Sequence, residues 1–556
     1  MAERCLNLLK TRFEGLVSEN EYKHINKELG HEPNHFELQL FSATYSEHCS
    51  YKHSKELLKL LPRENAIFYE ENAGGIEIGE HAILFKMESH NHPCAVEPFN
   101  GAATGIGGII RDVLAMNARP IALCNSLKFG ADSKLNKILN GVVEGISVYG
   151  NSIGVPTVST EVLFDSCFSE NPLVNISAIG LAKKSDILTS SNAKKGLKLM
   201  LVGSATMRDG MGGAAFASKE LSDEKAEDKI SIQIANPFMK KKLIEACLEI
   251  FSEKLVVSCQ DCGAAGILSS TSEVAYKSGC GVEIDLNKIH IGDKSIKDFE
   301  IMLSETQERM LFVIEESKID SIEQILKKFE LEYSIIGNTI KDKNYIVKNG
   351  DNILANLPCE LLVNPPEVKL DFAQNAGGIV IPPYVSVDGN CPEIYEQYDH
   401  TVGSRTQFSP ASSSLRDVNL QDAQRSNERR NLAKAEPNFN SLWIYEENCF
   451  LGIYTFSVVI QENSFKEVYE AILTQSKSLT DRGFQPKGIT NCLNFANPEI
   501  PPTMYEFRET ILAIKKACEE LKIPVCSGNV SFYNEYSLGK IKNTPSFTMI
   551  GVKALK

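Results

Sequence analysis

The chain has 556 residues, of which 43% are hydrophobic and 23% are charged, proportions that are typical of a soluble globular protein with sizeable cores. The formal net charge of −14 argues against a basic face for duplex nucleic acid, although local basic pockets for phosphate remain possible. There is no apolar run near the length of about 18 residues that a membrane span needs and no signal-peptide core, so we expect a cytoplasmic protein.

The fifteen cysteines are spread from Cys5 to Cys526. Cys259 and Cys262 form the one C-x-x-C motif, and no second pair completes a zinc site. In a large chain of intracellular character we therefore predict reduced, buried thiols, with a zinc or redox role as the less favoured alternative.

The first segment that could carry chemistry is SEHCSYK, which places His48, Tyr51 and Lys52 within about one helical turn. Taken alone, this pattern favours a structural role, in which a partly buried histidine lies on an amphipathic helix.

The second segment runs from Phe85 to Val113. HAILFKME alternates like a strand, so Lys86 and Glu88 should face the same side. A lysine beside a carboxylate suits a nucleotide-phosphate site in which the carboxylate holds Mg²⁺. His90 and His92 follow at the end of the strand.

Glycines 101, 105, 107 and 108 predict a turn before a helix that begins near Ile109. The free backbone N–H groups of such a helix would bind an anion, with Arg111 and Asp112 in its first turns as a phosphate fork and a metal ligand. The segment matches neither the P-loop nor the dinucleotide motif, and a simple tight loop remains the alternative.

Further along, LKLMLVG predicts a strand and PFMKKKLIEACLEIF predicts a helix that begins at Pro237. Strands grouped with long helices favour an α+β fold, with helices covering one side of each sheet. QDCGAAG presents Asp261 before small residues, and SETQERM presents Glu305, Gln307 and Arg309. Surface salt bridges are the alternative explanation of both segments.

Two distant stretches resemble each other. NARPIALCNSLKFG from Asn117 matches GFQPKGITNCLNFA from Gly483, and VPTVSTEVLF from Val155 matches IPVCSGNVSF from Ile523 at a nearly constant offset. A duplicated domain explains both matches. The intervening stretch 401–440 is rich in Ser, Asn, Arg and Gln, and its composition predicts a flexible linker.

Together these motifs resemble one family, the synthetase subunit of phosphoribosylformylglycinamidine synthase of the small, separate-subunit type. The resemblance runs from about Gly15 through Gly403 and resumes in GITNCLNFANPE and PVCSGNVSFYNE. It implies tandem A and B domains like those of aminoimidazole ribonucleotide synthetase, with the two A domains packed as a pseudo-dimer around a shared β core. The implied layout is an N-terminal helical segment (1–50), first A domain (51–185), first B domain (186–365), connecting segment (366–400), linker (401–440) and second A domain (441–556).

The resemblance also implies the reaction. ATP phosphorylates the amide oxygen of formylglycinamide ribonucleotide, and ammonia displaces phosphate to form the amidine. Ammonia would come from a separate glutaminase subunit, bridged by a small dimeric subunit. More than one Mg²⁺ would assist.

By the same resemblance, His48 and His90 are the active-site histidines, with His90 as proton acceptor. The implied ATP contacts are Tyr51, Lys86, Asn491 and Gly528. The implied metal ligands are Glu88 with Asn529 for one Mg²⁺ and Asp112 with Asp261 for another. The implied substrate contacts are Ser89, His90, Asn91, His92, Arg111, Gln233, Glu305, Thr306, Gln307 and Ser531.

Three departures from the family pattern concern one place. No second B domain follows the second A domain, the start of that A domain lacks the expected acidic and arginine-bearing motif, and VSTEV at Val158 replaces a glycine pair. We expect that an auxiliary half-site, which holds a structural nucleotide in the family, has decayed while the catalytic half-site persists. The alternatives are a catalytically silent scaffold or regulatory remnant, and a related aminoimidazole ribonucleotide synthetase, which fits SEHCSYK and the tandem arrangement poorly.

Overall fold

The computed structural model describes residues 15–67, 71–130, 135–213, 232–372, 439–536 and 539–555. Within these ranges there is no helix that combines the length and the apolar character of a membrane span. The expected linker 401–440, apart from its last two residues, lies outside the described part of the chain, as does most of the connecting segment 366–400.

Four short helices open the described chain. They are α1 (Glu19–Leu29), α2 (His35–Thr44), α3 (Glu47–Ser50) and α4 (Lys55–Leu58). Helices α1 and α2 each begin with a capping box, in which Ser18 and Asn34 accept hydrogen bonds from the N3 backbone. Apolar residues of both helices pack into the core of the seven-stranded sheet described below.

The first repeat contains a five-stranded sheet in the order β1-β2-β5-β3-β4. Its strands are β1 (Gly74–Ile78), β2 (His81–Ser89), β3 (Arg119–Phe129), β4 (Thr157–Phe164) and β5 (Leu173–Lys183). Its helices are α5 (Asn91–Val96), α6 (Pro98–Ala115) and α7 (Leu135–Ile153). Strand β2 confirms the predicted pattern, since Lys86 and Glu88 lie on the same side of it.

A seven-stranded sheet follows, in the order β12-β11-β8-β10-β6-β9-β7. Its strands are β6 (Lys198–Gly203), β7 (Ser258–Asp261), β8 (Gly281–Asp285), β9 (Arg309–Ile314), β10 (Tyr333–Ile340), β11 (Asn344–Asn349) and β12 (Asn352–Pro358). Its helices are α8 (Pro237–Ser252), α9 (Gly266–Ser278), α10 (Asp298–Leu303), α11 (Ile319–Lys328) and α12 (Cys359–Val363). The predicted strand LKLMLVG and the predicted helix that begins at Pro237 are both confirmed.

The second repeat contains a five-stranded sheet in the order β13-β14-β19-β15-β16. Its strands are β13 (Phe439–Ile444), β14 (Cys449–Ser457), β15 (Gln485–Asn494), β16 (Val525–Ser531) and β19 (Thr544–Ala554), with a small ribbon of β17 (Glu535–Tyr536) and β18 (Gly539–Lys540). Helices α13 (Ser464–Asp481) and α14 (Pro501–Leu521) cover one face.

The two five-stranded sheets have the same strand order and the same irregularities. In β3 the pairing with β5 shifts between Pro120 and Ala122, and in β15 the pairing with β19 shifts at the equivalent place, between Pro486 and Gly488. The predicted duplication is therefore confirmed at the level of register. The same register makes Lys86 and Glu88 equivalent to Tyr454 and Phe456, because each pair lies opposite the matching residues of β5 and β19.

The two sheets pack face to face through a shared apolar core to which both contribute, including Ile83, Phe85, Ile453 and Ile550. Near the pseudo-twofold axis the equivalent hydroxyls of Ser177 and Thr548 lie 2.9 Å apart. This arrangement confirms the expected α+β pseudo-dimer with a shared β core, and it brings β16 of the second repeat against β2 of the first.

Candidate active site

A cavity of about 720 Å³ lies where the N-terminal helices, both repeats and the seven-stranded unit meet. Most of the site residues expected from the sequence line it: His48, Tyr51, Lys86, Glu88, Ser89, His90, Arg111, Asp112, Gln233, Asp261, Glu305, Gln307, Asn491, Gly528 and Asn529. The fold therefore brings together side chains that are more than 400 positions apart in the chain.

One expectation about this region is wrong. The four glycines do not form a turn before a helix near Ile109, because α6 already begins at Pro98 and contains all of them. Arg111 and Asp112 consequently lie near the end of the helix, and no helix N-terminus is available there for an anion. Glycine is required instead because neighbouring side chains lie close to the helix backbone. A Cβ on Gly107 would lie 2.7 Å from Gln307 Oε1, and one on Gly105 would lie 3.1 Å from the His90 ring.

Lys86, Glu88 and Asp112 form a compact charged cluster on the cavity wall. Lys86 Nζ lies 2.8 Å from Glu88 Oε1 and 3.1 Å from Asp112 Oδ2. Burial opposes ionisation of Glu88, but Lys86 outweighs it and lowers the pKa of Glu88 to about 2. Burial and the neighbouring Glu88 raise the pKa of Asp112 well above its ordinary value. The two carboxyl groups therefore compete for the single charge of Lys86, so that negative charge is favoured on Glu88 and disfavoured on Asp112.

The SEHCSYK segment forms α3 and the residues that end it. Tyr51 ends the helix in the left-handed conformation (φ 53°) and donates a hydrogen bond from its hydroxyl to Asn529 Oδ1 at 3.0 Å. Burial lowers the pKa of His48, which keeps its imidazole neutral. Because Asn529 belongs to β16, this bond joins the N-terminal segment to the second repeat across the cavity.

His90 follows β2 and faces the cavity with a defined tautomer. Its Nδ1 lies 2.6 Å from the carbonyl oxygen of Gly101. A carbonyl can only accept a hydrogen bond, so Nδ1 carries the hydrogen and Nε2 keeps its lone pair. Burial lowers the pKa of His90 to about 4, so the ring is neutral at physiological pH.

A chain of hydrogen bonds connects the first repeat with the seven-stranded unit. Arg111 donates to Asp261 Oδ2 at 3.2 Å and also to Gln307. Gln307 donates to Gln233, which in turn donates to Glu305 Oε2 at 3.0 Å. The residues from Ser304 to Arg309 are all buried, so the alternative of surface salt bridges is wrong for this segment.

Four expected site residues lie outside the large cavity. Asn91, His92 and Ser531 line a small cavity beside it. Asn91 is buried and donates to Asn494 Oδ1 and Asn534 Oδ1, both at 2.9 Å, which ties the two repeats together. Thr306 lines neither cavity, and its hydroxyl donates to Asp209 Oδ1 at 2.7 Å.

Some cavity residues were not singled out from the sequence. Glu47 lines the small cavity and forms a buried pair with His53, which lines neither cavity, with 2.6 Å between Glu47 Oε2 and His53 Nδ1. Glu47 belongs to SEHCSYK and His53 follows directly after it, so their closeness in the sequence was the available signal. Besides Lys86 and Arg111, the cavity wall carries further basic side chains that suit an anionic ligand, those of Lys55, Lys59, Arg63 and Lys277.

The position related to Lys86 and Glu88 by pseudo-symmetry differs in chemistry. Tyr454 and Phe456 are buried there, and the ring of Phe456 stacks on that of Phe547 at 5.0 Å. Glu161, which is equivalent to Asn529, accepts from the backbone nitrogen of Ser457 at 3.1 Å. Its other oxygen lies 2.6 Å from Nζ of the fully buried Lys128.

Cation binding was expected at the catalytic half-site. Glu88, Asp112, Asp261 and the amide of Asn529 supply hard oxygen donors around the cavity, as Mg²⁺ prefers. In the part of the chain that the structure describes, no three His, Cys, Asp or Glu side chains converge into a ready cage. This donor set fits Mg²⁺ held by one or two carboxylates and completed by substrate phosphates. Cys259 and Cys262 are buried and free, as expected of reduced thiols.

Three family models match the chain. The N-terminal domain of AIR synthase related protein matches residues 70–182 and 479–553, and its C-terminal domain matches residues 194–349. The formylglycinamide ribonucleotide amidotransferase linker domain matches residues 10–52. The first model thus falls on both repeats and the second on the seven-stranded unit.

Several known proteins are similar to this chain over almost its whole length. Phosphoribosylformylglycinamidine synthase subunit PurL of Petrotoga mobilis is 43% identical, over 97% of this chain and 74% of its own length. T. maritima PurL complexed with FGAR superposes with a TM-score of 0.82 at 35% identity, covering 96% of this chain and 83% of that one. The T. maritima complex with ATP gives a TM-score of 0.78 at 33% identity, with the same two coverages. The PurLQS structure from Thermotoga maritima gives 0.80 at 33% identity, covering 97% and 83%.

Proposed function

This chain belongs to the PurL family, the synthetase subunits of phosphoribosylformylglycinamidine synthase, and we propose that its 720 Å³ cavity is the family's active site. The protein is an ATP-dependent ligase that converts formylglycinamide ribonucleotide and ammonia to formylglycinamidine ribonucleotide in purine biosynthesis. The observation that carries the assignment of the site is the meeting, in one cavity, of a charged Lys86 cluster with a neutral His90.

ATP binds at the Lys86 end of the cavity. Burial alone would lower the pKa of Lys86, but Asp112 and Glu88 outweigh it, so the ammonium group keeps its charge to meet phosphate oxygens. Asn491 is buried and lines the same cavity, and its Nδ2 has no hydrogen-bond partner among the described residues, which leaves a donor for the nucleotide. At Gly528 a side chain would collide with Asn491, since a Cβ there would lie 2.6 Å from Asn491 Oδ1.

Mg²⁺ would be held by Glu88 with Asn529 and by Asp112 with Asp261. When bound, it would neutralise the charge that develops on the transferring phosphate. The raised pKa of Asp112 beside Glu88 marks a place where one more positive charge is favourable.

The ribonucleotide binds toward the chain of Arg111, Gln307, Gln233 and Glu305. The amide oxygen attacks the γ-phosphate, ADP leaves, and ammonia then adds to the same carbon before inorganic phosphate departs. His90 lines the same cavity and offers Nε2 as the acceptor of the proton that the incoming nitrogen loses. His48, also neutral, lines the same cavity, as does Tyr51 three residues later in the chain.

Ammonia is supplied by a separate glutaminase subunit, and a small dimeric subunit bridges the two. A solved assembly of a 33% identical relative, PurLQS, supports this arrangement. The intact catalytic cluster speaks against the alternative of a silent scaffold or regulatory remnant, because buried charges of this density are costly to retain without use.

The chain binds one nucleotide, because protein side chains occupy the half-site that is related to the Lys86 site by pseudo-symmetry. Tyr454 and Phe456 offer neither a cation nor a metal ligand in place of Lys86 and Glu88, and Glu161 is already neutralised by Lys128. A buried ion pair inside the protein thus replaces the ligand that the family holds at this position.

The test is release of ADP by the purified chain supplied with formylglycinamide ribonucleotide, Mg²⁺, ATP and ammonium chloride, which removes the need for partner subunits. Turnover should depend on the ribonucleotide, persist in His31→Ala at an exposed histidine, and be lost in His90→Ala. A folded chain that binds ATP without turnover, or a fully active His90→Ala variant, would contradict the assignment.

A further inference from the structure

A second cavity, of about 20 Å³, adjoins the large one. Four residues line both cavities, namely His48, Ser89, Pro93 and Val530. The small cavity continues away from the large one between Glu47 and the asparagine-rich contact of the two repeats. A space of this size holds one molecule as large as water and excludes nucleotides.

Glu47 presents an oxygen atom that needs a hydrogen-bond donor. The side chain is buried, with 5% of its surface exposed. Oε2 accepts from both the ring and the backbone nitrogen of His53, at 2.6 Å and 3.1 Å. Oε1 is also buried and has no hydrogen-bond partner among the described residues. Leaving a buried carboxyl oxygen unpaired is costly, so a small donor molecule is expected beside it.

The reaction proposed above uses one substrate of this size. At neutral pH most ammonia is present as ammonium, which has four N–H donors and no lone pair, and a carboxylate binds it more strongly than water through a charge-assisted hydrogen bond. We propose that the small cavity is the holding site for ammonium, with Glu47 Oε1 accepting one of its N–H bonds. This inference rests on the proposed function, since it names where that reaction keeps its nitrogen donor.

The location suits this role. Ser89 and His48 border both cavities. A nitrogen held by Glu47 is therefore separated from the space where the ribonucleotide binds by the width of one side chain. Glu47 is also the residue before His48 in α3, which fixes the distance between the two. Glu47 is thus a positioning residue for the nitrogen donor, separate from the groups that contact ATP. Because ammonium has no lone pair, it leaves one proton on Glu47 Oε1 and enters the large cavity as ammonia, which is the nucleophile.

The kinetic test is Glu47→Gln, which keeps the size and removes the charge. Losing a charge-assisted hydrogen bond should raise KM for ammonium about tenfold or more, while KM for ATP and for the ribonucleotide stays within about twofold. Glu56→Gln, at an exposed glutamate in the next helix, should leave all three unchanged. His53→Ala, which loosens the turn without removing Glu47, should not reproduce the selective effect. An equal rise in all three KM values, or the same selective rise in His53→Ala, would overturn the proposal.

A structural test does not depend on turnover. Thallium(I), soaked as the acetate into crystals of the full chain, has the charge and about the size of ammonium, and its anomalous signal identifies it. A peak beside Glu47 Oε1 in the wild type that is absent in Glu47→Gln supports the proposal, and a water or no density in the wild type overturns it. If the wild-type chain shows no ammonium-dependent ADP release, the proposed function fails while the thallium result still decides the ammonium site.

Discussion

The buried ion pair of Lys240 and Glu308, which lies against α6, allows a direct test of how much a buried charge contributes to the free energy of unfolding. Lys240 and Glu308 are both almost completely inaccessible, with Nζ and Oε2 2.7 Å apart. Lys240 also donates to the carbonyl of Gly107 at 3.1 Å, and Tyr149 donates to Glu308 Oε1 at 2.6 Å. Burial outweighs the attraction of Glu308 and lowers the pKa of Lys240 to about 8, so the environment as a whole disfavours the charge.

Lys240→Met leaves Glu308 as an unpaired buried charge, and we expect it to cost about 3–5 kcal/mol. At about 2–4 °C per kcal/mol for a unit of 150–250 residues, the apparent Tm should fall by roughly 6–20 °C. Lys240→Met combined with Glu308→Gln removes both charges of this pair and should recover most of that loss, because the lowered pKa of Lys240 shows that the charged lysine gains little from its partner.

The assay is thermal unfolding followed by circular dichroism, with Lys241→Met as the matched control. Lys241 is the next residue, is about half exposed and forms an i,i+4 pair with Glu245, which is worth about 0.3–0.5 kcal/mol. The reasoning is refuted if Lys240→Met melts at the temperature of Lys241→Met, or if the double variant is as unstable as Lys240→Met.

Three further predictions concern the site. Alanine is usually more stable than glycine within a helix by about 0.5–1 kcal/mol, but Gly107→Ala should lower Tm because its Cβ would lie 2.7 Å from Gln307 Oε1. Gly108→Ala should not lower Tm, because Glu88 Oε2, at 3.8 Å, is the one atom near its added Cβ among the described residues. Equal Tm values for the two variants would contradict the close contact between Gly107 and Gln307. Because the folded pKa of His90, about 4, lies below its ordinary 6.5, stability should fall as pH falls from 6.5 toward 4, by on the order of 3 kcal/mol in total. Urea unfolding at pH 7 and pH 5 checks this, and an equally strong pH dependence in His90→Asn would contradict it. Calorimetry with a non-hydrolysable ATP analogue should give one site per chain, abolished by Lys86→Met, and a second site would show that the Lys128–Glu161 half-site is still open.

The fold was predictable from the sequence where the same residues recur at equivalent positions of the two paired sheets. The repeat was found because Pro120 and Pro486 stand at equivalent β-bulges, where the strand geometry leaves few alternatives. The start of α6 was predicted wrongly because glycine often indicates a turn. The sequence alone does not reveal that Gln307 and His90 lie in close contact with Gly107 and Gly105 of the helix.

The site was predictable where its residues lie on one element. Lys86 and Glu88 follow from the two-residue period of β2. The bond between Arg111 and Asp261 joins residues 150 positions apart, so no local pattern can indicate it. The role of Glu47 was missed because its partner His53 lies beyond the helical turn, and only burial distinguishes that pair from an ordinary surface contact.

The pseudo-twofold axis has a consequence for how this enzyme can evolve. In a symmetric homodimer every substitution appears at both sites at once, so a change that closes one site also closes the other. Here the two halves are encoded separately. Tyr454, Phe456 and Glu161 can replace binding groups on one side of the axis while Lys86, Glu88 and Asn529 stay intact on the other. Duplication and fusion thus allow one half-site to become part of the scaffold while the other retains the chemistry.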